Sequence, residues 1–190
     1  MTTELRWRIV TLQAVMVLAL GFCAGFLFWG SGFVNGMVHD QLVAQKISFP
    51  PASEIKTGGA LDPAEFSAEI RAYAGQQVDN GDKARVYAND FIGIHLDKVA
   101  NGKTYSQVSA ASIADPKNAT LAAQVNTLFK GETLRGLLLY AWGWSQVGLY
   151  ALYAAIVLTV ATIVVFGAMV FELLVAPRPA RAKRTQPLPA

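Results

Sequence analysis

An all-α fold, with two transmembrane helices flanking a helical extracytoplasmic domain, follows from three features of this chain. Residues 9–38 and 136–171 form two long runs without a charged side chain. Basic residues collect just outside those runs, near both ends of the chain. The stretch between them carries helix caps and helical spacing of apolar residues, without the two-residue alternation that marks a strand. Composition agrees: charged residues make up 15% of the 190 residues and hydrophobic ones 53%, where soluble chains carry about 25% charge.

Crossing roughly 30 Å of hydrocarbon at ~1.5 Å per residue takes about 20 apolar residues. Residues 1–8 therefore read as a cytoplasmic N-terminus and residues 9–38 as the first transmembrane helix. A cleaved signal peptide shares the basic-then-apolar layout, but its apolar core is only about 7–15 residues long. Here Phe26, Leu27, Phe28 and Trp29 carry the run past the small residues Ala24 and Gly25. The second run opens with Tyr140, Trp142, Trp144, Tyr150 and Tyr153, amphipathic rings that settle at headgroup level. Residues 136–146 are accordingly an interfacial helix segment and 147–175 the second transmembrane helix.

Orientation follows from the flanking charges. Arg6 and Arg8 precede the first run, and Arg178, Arg181, Lys183 and Arg184 follow the second, against Lys46, Lys130 and Arg135 on the other side. Positive charge stays on the cytoplasmic face, so both termini are expected there in the cell membrane. Residues 39–135 form the extracytoplasmic helical domain and 176–190 a basic, proline-rich cytoplasmic tail. Acids and bases nearly balance in the outer segment, which excludes nucleic acid as a partner; the basic tail suits anionic lipid instead. A single cysteine, Cys23, rules out an intramolecular disulfide.

Small residues in the first span share one face. At about 100° per residue, Gly21, Gly25, Gly32 and Gly36 fall at roughly 0°, 40°, 20° and 60°, with Ala14 at about 20°. Ala24 lies about 60° to the side. Such a stripe lets two helix backbones approach in lipid, and Gly148, Ala151 and Ala155 offer a counterpart in the second span, continued by Thr159 and Thr162. The lipid bilayer is one partner; a second copy of the chain or another membrane protein is what the stripe suits.

In the outer segment, residues 39–46 extend the first helix until Pro50 and Pro51 stop it. Asp62-Pro63-Ala64-Glu65 has the order of a helix start, with Phe66, Ile70, Tyr73 and Gln77 on one face. A second helix over residues 82–100 buries Tyr87, Ala88, Phe91, Ile92, Ile94, His95 and Val99, and Asn101-Gly102 closes it. Thr104 and Gln107 make a capping box. Asp115-Pro116 opens a further helix with Leu121, Val125 and Leu128 at core spacing, and Gly131 is a candidate break before the long run. Asn118-Ala119-Thr120 matches a glycosylation triplet by pattern.

Little chemistry is written in the chain. Its two histidines are His39, beside the first span, and His95, placed in the apolar arc and read as a core side chain; they are the weak functional candidates. Neither has a second His or Cys at zinc spacing. Phosphate-loop, nucleophile-elbow and dinucleotide motifs are missing. We therefore expect no catalytic residue, metal or cofactor, and a non-enzymatic protein: an accessory, anchoring or assembly component whose outer domain binds a partner. The alternatives are an extracytoplasmic ligand-binding or sensor module and an oligomeric two-span channel.

The segments MVHDQLVAQKISFPP, AYAGQQVDNGDKARVYANDFIGIHL and TLFKGETLRGLLLYAW resemble a group of small two-span membrane proteins from actinobacteria, over most of the chain. The resemblance implies the two-span architecture and transfers no functional residue. A ring-opening dioxygenase label borne by some of those sequences implies iron held by histidine and carboxylate, and two histidines, one of them at the membrane, do not fit it.

Overall fold

A computed structural model describes residues 3–174; the expected basic tail, residues 176–190, lies outside the described residues. Among the described residues six α-helices occur in the order α1 (Thr3–Gln45), α2 (Ala68–Ala72), α3 (Gly81–Val86), α4 (Ile94–Ala100), α5 (Tyr105–Ala114) and α6 (Ala119–Leu174). A π-helical segment, Tyr87–Gly93, joins α3 to α4, and a 3-10 turn covers Ala52–Glu54. No strand forms among the described residues. A lone antiparallel bridge pairs Ser48 with Gln77, flanked by bonds from the Phe49 N–H to the Gln76 carbonyl and from the Val78 N–H to the Ile47 carbonyl, both 2.9 Å.

Helices α1 and α6, of 43 and 56 residues, are both long and apolar enough to cross a bilayer. The described residues divide into two units, 3–29 with 151–174, and Gly30–Tyr150.

In the first unit, the α1 and α6 segments meet along small and branched side chains: Val10, Ala24 and Ala155 are buried. A Cβ on Gly21 would lie 3.8 Å from a methyl of Thr162. The Thr159 and Thr162 hydroxyls donate to the carbonyls of Ala155 and Leu158 on their own helix, so neither needs an outside partner. Arg6 closes this unit, with its Nε 3.8 Å from Glu172 Oε1 and its guanidinium on the carbonyls of Glu172 and Leu173.

In the second unit the core is not confined to the short helices. Val38 and Leu42 of α1 and Leu138 of α6 are buried in the same cluster as Phe49, Leu61, Phe66, Ile70, Val78 and Val86. Phe49 packs edge-on against Tyr87 at 5.2 Å between ring centres. A smaller cluster joins Leu96 and Ala100 of α4 to Val108 of α5 and Leu128 of α6.

Local starts and stops differ from expectation in instructive ways. Asp62 does not cap a helix: its carboxylate accepts the Gly58 and Ala64 N–H groups, at 2.6 and 2.9 Å, and fastens a loop. The helix begins five residues later, where Ser67 accepts the Ile70 N–H. Likewise Asn118, not Asp115, caps α6 by accepting the Leu121 N–H at 3.2 Å. Gly131 does not break α6; it is buried within the unbroken helix, facing Leu96, and residues 136–146 continue the same helix. The Thr104–Gln107 capping box and the left-handed closure at Asn101 (φ 49°) both form as expected.

His95 is the clearest correction. It is exposed rather than in the core, because the π-helical segment inserts an extra residue per turn. A wheel drawn at about 100° per residue across residues 82–100 thus loses phase halfway along. Leu96 occupies the buried position instead.

Candidate functional site

The polar side chains of the second unit converge beside the π-helical segment. Such a turn bonds its carbonyls to N–H groups five residues on, and Arg135 of α6 adds a side-chain donor to one of them. Its Nε donates to the Ala88 carbonyl at 3.1 Å and its Nη2 to Asn89 Oδ1 at 3.2 Å. Nη1 donates to both Glu132 oxygens, at 3.0 and 3.2 Å. Arg135 thereby ties α6 to the π turn, and Gly93 leaves room for it: a Cβ there would lie 3.6 Å from the guanidinium carbon.

Next to Arg135 is an open hollow of about 370 Å³, with Asp97, Lys103, Tyr105 and Glu132 on its walls. The left-handed residues Asn101 and Gly102 (φ 49° and 73°) turn the chain there, and the capping box fixes the start of α5. The Tyr105 ring lies 6.1 Å from that of Phe129. Two bases and two acids line this hollow, and Arg135 is already paired. It can hold a guest by hydrogen bonds and ring contact, not by net charge.

Elsewhere in this unit, burial and then the charge of Glu69 push the Asp90 carboxyl up, opposed by Arg85 and by a bond with the Ser67 hydroxyl. Burial also raises Tyr87. The backbone N–H groups of Ala64 and then Gly58 hold Asp62 below the usual carboxylate range, with Lys98 adding to them and burial opposing.

The two histidines are separately engaged. His39 Nδ1 lies 2.9 Å from the Asp79 carbonyl. His95 Nδ1 lies 2.8 Å from the Phe91 carbonyl, and its ring is 4.6 Å from that of Phe91. Among the described residues no group of three His, Cys, Asp or Glu side chains could hold a metal ion.

The candidate packing residues divide. Ala155 and Gly148 are buried and Ala14 and Ala151 half-buried; a Cβ on Gly148 would meet the Asn35 side chain at 3.1 Å. Gly25, Gly32 and Gly36 would meet nothing within 4 Å. Of the aromatic candidates, Tyr140, Trp144, Tyr150 and Tyr153 are exposed and Trp142 is half-buried. Sequence reasoning missed Arg135, whose partner is a π turn without a sequence signature. It also missed the seam of α1, although that signal was present: Val10, Val17, Ala24, Ser31 and Val38 recur every seven residues, and all but the half-buried Val17 are buried. A seven-residue repeat drifts by about 20° per heptad on a straight helical wheel, which hid it beside the glycines.

No protein-family model matches the chain, no curated protein matches it, and neither does any solved structure.

Proposed function

We propose that this chain is an integral protein of the cell membrane, with α1 and α6 as its two spans and both termini cytoplasmic. Its outer helical domain acts as a non-catalytic binding module in an accessory, anchoring or assembly role. The observation that carries this reading is the shared core: Val38, Leu42 and Leu138 come from the long helices yet complete the hydrophobic cluster of the short ones. A domain of this size alone has a marginal core. Built on residues of its own anchor helices, it binds its partner at the membrane.

A ligand-binding module is the second reading, favoured by the hollow beside Arg135 with its ring and balanced charges. The channel reading draws less support, since the Thr159 and Thr162 hydroxyls are spent on their own helix and the runs 9–38 and 136–171 hold no charged side chain to line a path. The test is affinity purification of the full chain in mild detergent, with mass spectrometry of what accompanies it. Under the binding-module reading a defined partner or small molecule is retained by wild type and lost on Tyr105→Ala combined with Lys103→Ala. Retention unchanged by that pair moves the binding surface elsewhere, and nothing retained in either form sinks the reading.

A further inference from the structure

In the Gly30–Tyr150 unit, α1 and α6 leave a groove of about 520 Å³ between them. Phe33, Val34 and Met37 form one wall, Leu137 and Ala141 the other, and Gln41 and Gln45 lie at the far end of the α1 wall. A smaller apolar hollow of about 250 Å³ lies on α6, sharing Tyr140 and Trp144 with the first. Those two rings meet edge to face at 6.1 Å and form a ridge common to both hollows. We propose that this groove holds the acyl chains of a bilayer lipid, a proposal that rests on α1 and α6 being the two spans.

Lengths and polarity name the occupant. The charge-free run of α6, residues 136–171, is about 54 Å long at ~1.5 Å per residue. A whole bilayer with its headgroups is only about 40–45 Å thick. The run is thus longer than the bilayer, and its first residues, Leu137 and the interfacial ring of Tyr140 among them, belong at headgroup level or beyond. Both side chains are largely exposed, at 60% and 66%, which is costly in water and needs a cover.

The α1 wall from Phe33 to Gln45 is about 18 Å long by the same rise, comparable with the length of one lipid chain, since a leaflet of hydrocarbon is half of ~30 Å. Its apolar side chains come first and its amides last, the gradient a lipid presents from chain to ester and head. Neither hollow has a charged side chain on its wall. The groove therefore selects for chains and is indifferent to headgroup charge, with Gln41, Gln45, the Tyr140 hydroxyl and the Trp144 N–H available to the polar part.

The test is native mass spectrometry of the full chain released from detergent micelles supplied with phosphatidylcholine or phosphatidylglycerol. Wild type should retain a lipid, equally from either source. Ala141→Trp, which fills the groove, and Met37→Glu, which puts charge on its wall, should both lose it while circular dichroism shows unchanged helix content. Retention by both variants overturns the proposal, as does marked preference for the anionic lipid. A dimer without lipid gives the groove to a second copy and overturns it too. An alkaline carbonate wash separates the premises: a chain released from membranes fails as a two-span protein, whereas one that stays embedded but retains no lipid loses only the groove.

Discussion

Gly81 and Gly131 differ in how firmly the neighbour facing each would resist an added methyl. A Cβ on Gly81 would fall 2.5 Å from Ser145 Cβ and 3.3 Å from the Trp142 Cα. Neither can withdraw easily, since Ser145 Oγ donates to the Trp142 carbonyl at 2.7 Å. Gly81→Ala should cost about 1–3 kcal/mol by overpacking. At Gly131 an added Cβ would crowd the end of the Leu96 side chain, which is buried and shifts only at some cost, set against about 1 kcal/mol of helix propensity gained from alanine. Thermal unfolding in detergent should therefore show a larger loss for Gly81→Ala than for Gly131→Ala; equal losses would contradict the contact geometry.

The acids Asp62 and Asp90 make opposite pH predictions. Asp62 has its folded pKa lowered by the loop N–H groups, so its contribution is present above the ordinary value of about 3.9 and lost as the pH falls through the folded value. Wild type should lose its advantage over Asp62→Asn on acidification through that range. Asp90 has its folded pKa raised, so its carboxylate opposes folding at neutral pH and that opposition fades as the pH falls through the folded value. Asp90→Asn should melt no lower than wild type at neutral pH, and a large drop in melting temperature there would show that the charge itself is needed.

Among elements, the π-helical segment is held by a side chain distant in sequence. Arg135→Met would leave the Ala88 carbonyl and the Asn89 side chain without their donor, at a cost of about 1–3 kcal/mol. Hydrogen exchange should quicken over residues 87–93 while the α1 segment keeps its protection; uniform loss would make Arg135 a general packing residue instead. In α1, Ala24 is 5% exposed while Gly25 and Gly32 would meet nothing within 4 Å. Ala24→Ile should therefore lower the protein level, and Gly25→Ile and Gly32→Ile should act only where a second copy packs on the stripe. Cross-linking of a thiol at Gly32 in a Cys23→Ala background reads that contact directly.

For the whole molecule the testable matter is topology. With Cys23→Ala as background, a membrane-impermeant thiol reagent on intact cells should label Thr57→Cys and spare Thr185→Cys. The reverse pattern would place the outer domain in the cytoplasm, and the charge bias of Arg6 and Arg8 against Lys46 would then have misled.

Helical class, the two long apolar helices, the capping box at Thr104 and the closure at Asn101 were all determined by sequence alone. Each rests on residues within a few positions of one another, where hydropathy and cap chemistry act locally. Tertiary structure decided the rest. The Asp62 carboxylate satisfies a loop rather than a helix end because the glycine turn before it offers its own N–H groups. His95 turns outward because one π turn shifts the phase of everything after it, and that turn is held by Arg135, more than forty residues away in sequence. The buried positions of α1 recur every seven residues, a period that drifts on the wheel of a straight helix, and only burial in the folded chain shows which face they make.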